Sequence, residues 1–453
     1  MLNEKDLGKI LGISFPPLHI QDIHWKSQDS DKDSILFYRI GSDQKAKDQF
    51  ALRLQDSKFA WLIVNEPHDS LPKNSSVVDE ESWNDIQKKI LDVLYPIPTL
   101  KFLALTGTNG KTTTTDLVLQ LGELAGKKGF SIGTLGVRQN QKTILDFGMT
   151  SPGLIDLRKY IFLYGQKKDF CVMEASSHAL VQNRLYGICF DGAGWLSFSQ
   201  DHLDYHQTMN AYFDAKCLLI QQLNEEAKIF VPHEQVDLYS NLKKVSKKTT
   251  EAPVIPGKLP VFFSTRFNRN NLEVASAMVE DVFKVKASQD YEKLSPPDGR
   301  FFIRAFKSNY IVVDFAHTPD ALDNICRAIH EAFPGYYLKV LFGCGGDRDR
   351  SKRPLMAQTV AKWANEIIVT SDNPRSEDPD QIIDDIVAGI PAYQYRRVTK
   401  RPEAVQSAFE DLKEKEILLL AGKGHEDYIL IQGIKHPYSD IQEVEMFLAR
   451  KIK

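Results

Sequence analysis

The chain has 453 residues, with 57 Lys and Arg against 60 Asp and Glu, giving a formal net charge of −3. Its hydrophobic fraction of 42% and charged fraction of 26% describe an ordinary globular protein of about two to four domains. The lack of basic excess excludes nucleic acid as the main partner. No apolar run approaches the roughly 18 residues of a bilayer span, and Met1-Leu2-Asn3-Glu4-Lys5-Asp6 lacks a signal-peptide core. Five scattered cysteines (171, 189, 217, 326 and 344) form no CxxC pair and read as reduced thiols of a cytoplasmic protein.

The first 95 or so residues are mixed and charged, with clear strands only at Ile35–Tyr38 and Ala60–Val64. A seam at Tyr95-Pro96-Ile97-Pro98 precedes an apolar strand, Leu100–Leu105. Thr106-Gly107-Thr108-Asn109-Gly110-Lys111-Thr112 follows, and a helix is expected over Thr113–Ala125. Strand, glycine loop and helix start are how a backbone wraps a polyphosphate: amide N–H groups approach the oxygens, Lys111 brings charge, and Thr112 offers a hydroxyl to Mg²⁺. Only two residues separate Gly107 from Gly110, against four in the common phosphate loop.

Further strands are expected at Phe170–Glu174, Ala193–Phe198 and Lys228–Val231, with helical stretches between. Glu174 ends its strand at Glu174-Ala175-Ser176-Ser177-His178, where a carboxylate can hold a metal. Gln200-Asp201-His202-Leu203-Asp204-Tyr205-His206 comes next, then Lys216 on a helix. The histidines of these loops raise zinc, but no thiolate lies at ligand spacing and oxygen donors favour Mg²⁺. Asp201 and Asp204 also suit helix capping.

A second seam, Leu294-Ser295-Pro296-Pro297-Asp298-Gly299-Arg300, opens a new strand series at Tyr310–Asp314, Leu338–Phe342, Glu366–Thr370 and Glu416–Ala421. Alternation on both sides of this seam predicts two α/β domains with largely parallel sheets, with ligands at the carboxyl ends of the strands. Hinge motion near Ser295–Gly299 is expected.

These motifs together resemble the Mur ligase family, most closely its MurE type. The resemblance rests on the phosphate loop, on Met173-Glu174-Ala175-Ser176-Ser177-His178-Ala179-Leu180-Val181-Gln182-Asn183-Arg184, on Asp201-His202-Leu203-Asp204-Tyr205-His206, and on Val313-Asp314-Phe315-Ala316-His317-Thr318-Pro319. It implies three α/β domains: a small mixed N-terminal domain for a UDP-sugar (1–97), a central P-loop ATPase-like domain (98–294) and a Rossmann-like C-terminal domain for an amino acid (295–453). The implied reaction adds meso-diaminopimelate to the D-glutamyl γ-carboxylate of UDP-N-acetylmuramoyl-L-alanyl-D-glutamate through an acyl phosphate, with ATP as substrate and Mg²⁺ as cofactor. The alternatives are L-lysine or another diamino acid, or a folylpolyglutamate-synthetase-like ligase.

Residue by residue, the resemblance gives Gly107, Thr108, Asn109, Gly110, Lys111, Thr112 and Thr113 to the ATP phosphates. It puts Asn268, Asn271, Arg300, Asp314 and His317 near the nucleotide. Thr112, Glu174, His202 and Lys216 serve the metal, Lys216 as a carbamate (N6-carboxylysine), since a bare ammonium would repel Mg²⁺. Catalysis is thereby assigned to Lys111, Glu174, His202 and Lys216. Thr150, Ser151, Ser176 and Arg184 match positions that contact the muramoyl dipeptide, and Arg348, Asp372, Asn373, Arg375, Gly422 and Glu426 match the diaminopimelate pocket. The Asp372-Asn373-Pro374-Arg375 loop marks enzymes taking meso-diaminopimelate, whose distal carboxylate a guanidinium grips with two parallel bonds. His425 and Glu426 are candidate bases for the amine. A monomer is expected. The chain departs from the family pattern in the N-terminal uridine motifs, at Phe315 in place of Tyr, and at Ser197-Phe198-Ser199 in place of Thr-Asn-Leu.

Overall fold

The computed structural model describes residues 1–257, 259–287, 291–297, 299–391 and 395–451. Asp298 of the second seam lies outside them. The chain forms two compact units. The first holds Met1–Leu103, Gly126–Asp191 and Leu218–Glu225; the second holds Ala104–Ala125, Gly192–Cys217 and Glu226–Lys453.

The first unit opens with a four-stranded sheet. Its strands Asp22–His24, Ser34–Tyr38, Trp61–Val64 and Ser75–Val77 pair in chain order, all parallel. The outer two were not evident in the sequence, because Asp22–His24 and Ser75–Val77 are three residues long and largely polar. Side chains of a strand alternate between faces. Ile35 and Phe37 therefore join Leu7, Trp61, Ile63, Trp83 and Ile90 on one side. Leu36 joins Phe50, Leu62 and Val64 on the other. The helix Glu80–Leu94 begins where the Asp79 carboxylate accepts the Ser82 N–H, and it buries Trp83, Ile86, Gln87, Ile90 and Leu91 at helical spacing. In the same unit Phe170–Glu174 runs parallel to Gly129–Gly133, with Phe170 opposite Gly129. Lys101–Thr106 starts in the first unit and ends in the second.

The second unit carries a six-stranded sheet in the order Phe302–Phe306, Asn309–Asp314, Glu416–Ala421, Tyr337–Phe342, Glu366–Val369, Tyr395–Arg397. Only the first strand is antiparallel to its neighbour. The sheet is wound on both faces, as in a Rossmann-like domain. Val312, Val340, Phe342 and Leu419 pack with Leu322, Ile325, Met356 and Ile382 from three helices. Ile311, Val313, Leu341 and Leu420 pack with Val405, Phe409, Val444 and Phe447 from two others. Each such apolar side chain adds about 1.5–3 kcal/mol when fully buried. Asp314 pairs with Ala421 across the register, so adjacent strands end together. At the opposite, amino ends, Lys339 (1% exposed) lies 3.3 Å from both Glu366 and Glu416.

The strands expected at Phe170–Glu174 and Glu416–Ala421 are observed with those bounds, and the others shift by a residue or a few. The phosphate-loop helix is Lys111–Leu124, starting two residues earlier than expected because Gly110 serves as its N-cap.

Candidate active site

Gly110 has φ +90, a left-handed conformation that costs glycine little. A Cβ there would lie 2.6 Å from Asn271 Oδ1, so the backbone turn and the Asn271 side chain need the missing methyl. The turn aims the amino end of Lys111–Leu124, with its partial positive charge, at the loop. Lys111 Nζ donates to the carbonyls of Gly107 (2.8 Å) and Thr108 (2.9 Å). The divergent Ser197-Phe198-Ser199 triplet still clasps this loop. Ser197 O accepts the Thr108 N–H and Ser197 Oγ the Asn109 N–H, while the Ser199 N–H donates to Thr108 Oγ1. Asn109 Nδ2 donates to Asp320 Oδ2 at 2.8 Å, tying the loop to the segment that follows His317.

Lys216 is 1% exposed and donates to Gly107 O at 3.0 Å. Burial, reinforced by the Lys111 charge and opposed by Asp201, holds its amine well below the usual lysine range. The neutral amine is the form that adds CO₂, so a lowered pKa is compatible with the carbamate expected at Lys216. Asp201, beside His202, is 4% exposed. Burial opposes its ionisation, but Lys352 at 3.2 Å and the neighbouring His202 outweigh it and hold the carboxyl well below its usual range. His202 takes a left-handed backbone with φ 55.

Arg300 donates to Thr112 Oγ1 at 3.2 Å and lies over the Phe315 ring, 4.5 Å from its centroid. The Asp314 carboxylate accepts the N–H groups of Phe301 and Ala316, both at 2.8 Å, and so fixes the start of its loop; burial raises its pKa against the pull of Arg300. His317 Nδ1–H donates to Phe315 O at 2.8 Å. Burial, then Lys352, lowers its pKa to about 4, so the ring is neutral at pH 7. Asn268 and Asn271 are both buried on the helix Arg266–Phe283.

In the same unit, the loops after three parallel strands assemble a polar cup. Asn373 Nδ2 donates to Glu426 Oε2 at 2.8 Å, and Lys423 Nζ reaches Glu426 (2.9 Å), Asn373 Oδ1 (3.1 Å) and Asp372 (3.6 Å). Burial opposes ionisation of Asp372, but Lys423 and Arg401 keep its pKa below the usual value. Burial, then Asp372, pushes Glu426 up. Arg375 is half-buried, with φ 53, and donates to Gly346 O at 2.5 Å. Its main chain pairs with Leu430 and Gln432, which pins the loop against the hairpin Tyr428–Ile431 and Ile434–Pro437. Gly422 approaches the Asp372 carboxylate, while Arg348 is exposed and donates to its neighbour's carbonyl, Asp347 O.

The first unit groups the remaining residues. Glu174 is 2% exposed and accepts the Thr134 N–H (2.7 Å) and hydroxyl (3.1 Å); Thr134 Oγ1 lies 3.2 Å from Thr150 Oγ1. Ser151 Oγ donates to Glu174 O and sits 3.2 Å from Ser176 Oγ, while Arg184 donates to Ser151 O. Thr150, Ser151, Glu174, Ser176 and Arg184 are thus one cluster.

Lys352, Lys423 and Thr134 were not singled out from the sequence. Lys352 sits in the charged run Asp349–Arg353 and Lys423 between Gly422 and Gly424, and only the fold reveals them as buried. Thr134 carried one signal, its place just after a strand end.

Residues 105–285 match the Mur ligase middle domain and residues 299–424 the glutamate ligase domain of Mur ligases. The chain is 35% identical over 464 residues to UDP-N-acetylmuramoyl-L-alanyl-D-glutamate–2,6-diaminopimelate ligase 1 of Clostridium acetobutylicum, covering 94% of each. It is 33% identical over 472 residues to the corresponding ligase of Aquifex aeolicus, covering 97% of this chain and 95% of the other. A solved structure of such a ligase is 26% identical, covers 99% of both chains and superposes with a TM-score of 0.59. The MurF ligase of Thermotoga maritima, in complex with ADP, shares the fold at 14% identity with a TM-score of 0.62. Phosphate loop, strand-end loops and these likenesses agree: the chain belongs to the Mur ligase family of ATP-dependent amide-forming ligases.

Proposed function

We propose that the chain joins meso-diaminopimelate to the D-glutamyl γ-carboxylate of UDP-N-acetylmuramoyl-L-alanyl-D-glutamate, converting ATP to ADP and phosphate. The observation that carries this reading is the cup in which Asn373 binds Glu426 while Arg375 is held half-buried in the same loop. A guanidinium so placed suits a carboxylate at the far end of the amino acid, and Glu426 and Asp372 suit its ammonium. L-lysine would leave the guanidinium without that partner.

A carboxylate is inert to amines because oxide is no leaving group. An oxygen of the γ-carboxylate attacks the γ-phosphorus of ATP, ADP leaves, and an acyl phosphate forms. The neutral amine then attacks the acyl carbon, phosphate departs, and one amide results. Lys111 and the amide groups of Gly107–Thr113 hold the phosphates, and His317, neutral near pH 7, is available as an acceptor beside them. Thr112, Glu174, His202 and carbamylated Lys216 are the proposed Mg²⁺ residues; the bound ion supplies charge neutralisation to the phosphates. Thr150, Ser151, Ser176 and Arg184 serve the muramoyl dipeptide.

In this reading residues 1–97 take the UDP-sugar, 98–294 the ATP and 295–453 the amino acid, in a cytoplasmic monomer. Phosphate release by the purified protein with ATP, Mg²⁺, the muramoyl dipeptide and each amino acid in turn tests it. Release is expected with meso-diaminopimelate and not with L-lysine or L-ornithine. Release without any amino acid, or a preference for L-lysine, overturns it.

A further inference from the structure

The segment that opens at Leu294 touches both the nucleotide loop and the amino-acid cup. Gln120, buried on the phosphate-loop helix, clasps Ser295 with two bonds: its Nε2 donates to Ser295 O at 2.9 Å and its Oε1 accepts the Ser295 N–H at 3.0 Å. The same Nε2 donates to Asp116 Oδ2 at 2.7 Å, one turn earlier. Five residues on, Arg300 holds Thr112, at the start of that helix. Between these grips lies Gly299, with φ +68; a Cβ there would fall 2.0 Å from His425 N and 2.4 Å from Gly424 C. The two backbones are therefore in direct contact.

Phe315 closes the path. Its ring has the Arg300 guanidinium 4.5 Å from its centroid and the His425 ring at 5.2 Å. A Cβ on Gly424 would lie 2.7 Å from Phe315 Cβ. Thr112, Arg300, Phe315 and His425 form one unbroken chain of contacts, in which Arg300 meets the Thr112 hydroxyl, lies over the Phe315 ring and also faces the Asp314 carboxylate. A nucleotide that takes up the Thr112 hydroxyl would leave Arg300 on the ring face and beside Asp314, with the ring still packed against the Gly424–His425 backbone.

We propose that Phe315 is a positioning residue that couples the Thr112 end of the nucleotide loop to the Gly422–Glu426 loop, so that nucleotide binding tightens binding of the amino acid. The proposal rests on the reading above, in which that loop takes the amino acid. Coupling of this kind is reciprocal: the amino acid must tighten nucleotide binding by the same factor.

Calorimetry of meso-diaminopimelate binding, with and without saturating AMPPNP and Mg²⁺, tests it in the full chain. In the wild type the nucleotide is expected to tighten binding by roughly 5-fold or more. Phe315→Leu keeps an apolar side chain but removes the ring face, and is expected to bring that factor to about 1 while the nucleotide's own affinity changes by less than about 3-fold. Phe315→Tyr is expected to retain the wild-type factor, which a merely space-filling role would not require. Melting curves establish that both variants are folded. Undiminished coupling in Phe315→Leu, or equal loss in Phe315→Tyr, overturns the proposal. Phosphate release by the wild type separately tests the substrate reading; a wild type that turns over yet shows no nucleotide effect fails here alone.

Discussion

The side-chain nitrogen of Lys216 donates to the carbonyl of Gly107, the same carbonyl that Lys111 occupies. Two lysines converging on one oxygen is a costly arrangement unless one is neutral, and burial together with Lys111 lowers the pKa of Lys216, which favours that state for it. Lys216→Arg, which keeps a cation and cannot form a carbamate, is therefore expected to lose at least about 100-fold in turnover, the cost of a missing charge-stabilising group. Carbon-13 bicarbonate should give a lysine carbamate signal at pH 7 in the wild type and none in the variant.

Arg375→Ala is expected to raise the KM for meso-diaminopimelate about 10- to 100-fold, the equivalent of a charge-assisted hydrogen-bonded pair worth ~1.5–3 kcal/mol. Affinity for ATP should stay unchanged, because the loop it belongs to is still held by the Asn373–Glu426 contact and by main-chain pairing with the hairpin. Equal loss of both affinities would contradict the role assigned to it.

His317 makes stability depend on acidity. Its folded pKa of about 4 lies below the ordinary histidine value of 6.5, so the unfolded chain takes up a proton first as pH falls. Stability contributed by keeping this ring neutral is present above about pH 6.5 and declines as pH falls towards 4, by an amount of order 3 kcal/mol. His317→Gln should flatten the fall in melting temperature between those two values. Asp201, whose pKa is already held low, titrates below this window and leaves it undisturbed.

Arg401 and Asp440 form an ion pair with neither side chain exposed; Arg401 also donates to Ala421 O, just ahead of the Gly422–Glu426 loop, and Tyr438 donates to Asp440. Asp440→Asn leaves the guanidinium charge buried without its counter-ion, and should destabilise the second unit by about 3–5 kcal/mol. Asp380→Asn, which breaks a pair with Arg397 whose side chains are 36% and 57% exposed, should leave the melting temperature nearly unchanged. Comparing melting temperatures of the two variants checks the contrast.

Much of this was legible in the residues. The strand–loop–helix at Leu105–Thr113 announced a phosphate site because its chemistry is local: two glycines, a lysine and a threonine inside one turn. Alternating apolar strands gave the α/β class, since buried parallel strands read as near-continuous apolar runs. The same rule failed on the N-terminal sheet, whose outer strands are short and polar. Long-range pairs were invisible for a different reason. Lys352 meets Asp201 across 151 positions of sequence, and Arg401 meets Asp440 across 39, so neither partner has a neighbour that betrays it. Likewise Asp314 was expected near the nucleotide, and the fold adds that its oxygens are already engaged by two backbone N–H groups.

Lys339, locked between Glu366 and Glu416 at the base of the C-terminal sheet, satisfies its charge without help from any bound molecule. The rim at the other end is different, since Arg375 and Arg348 donate there to main-chain carbonyls, those of Gly346 and Asp347. The footing thus pairs its buried charge with carboxylates, whereas the rim that is proposed to choose the amino acid leaves its guanidinium groups on main-chain oxygens. An engineer wishing to retune the preferred amino acid could rewrite the rim and leave the footing alone.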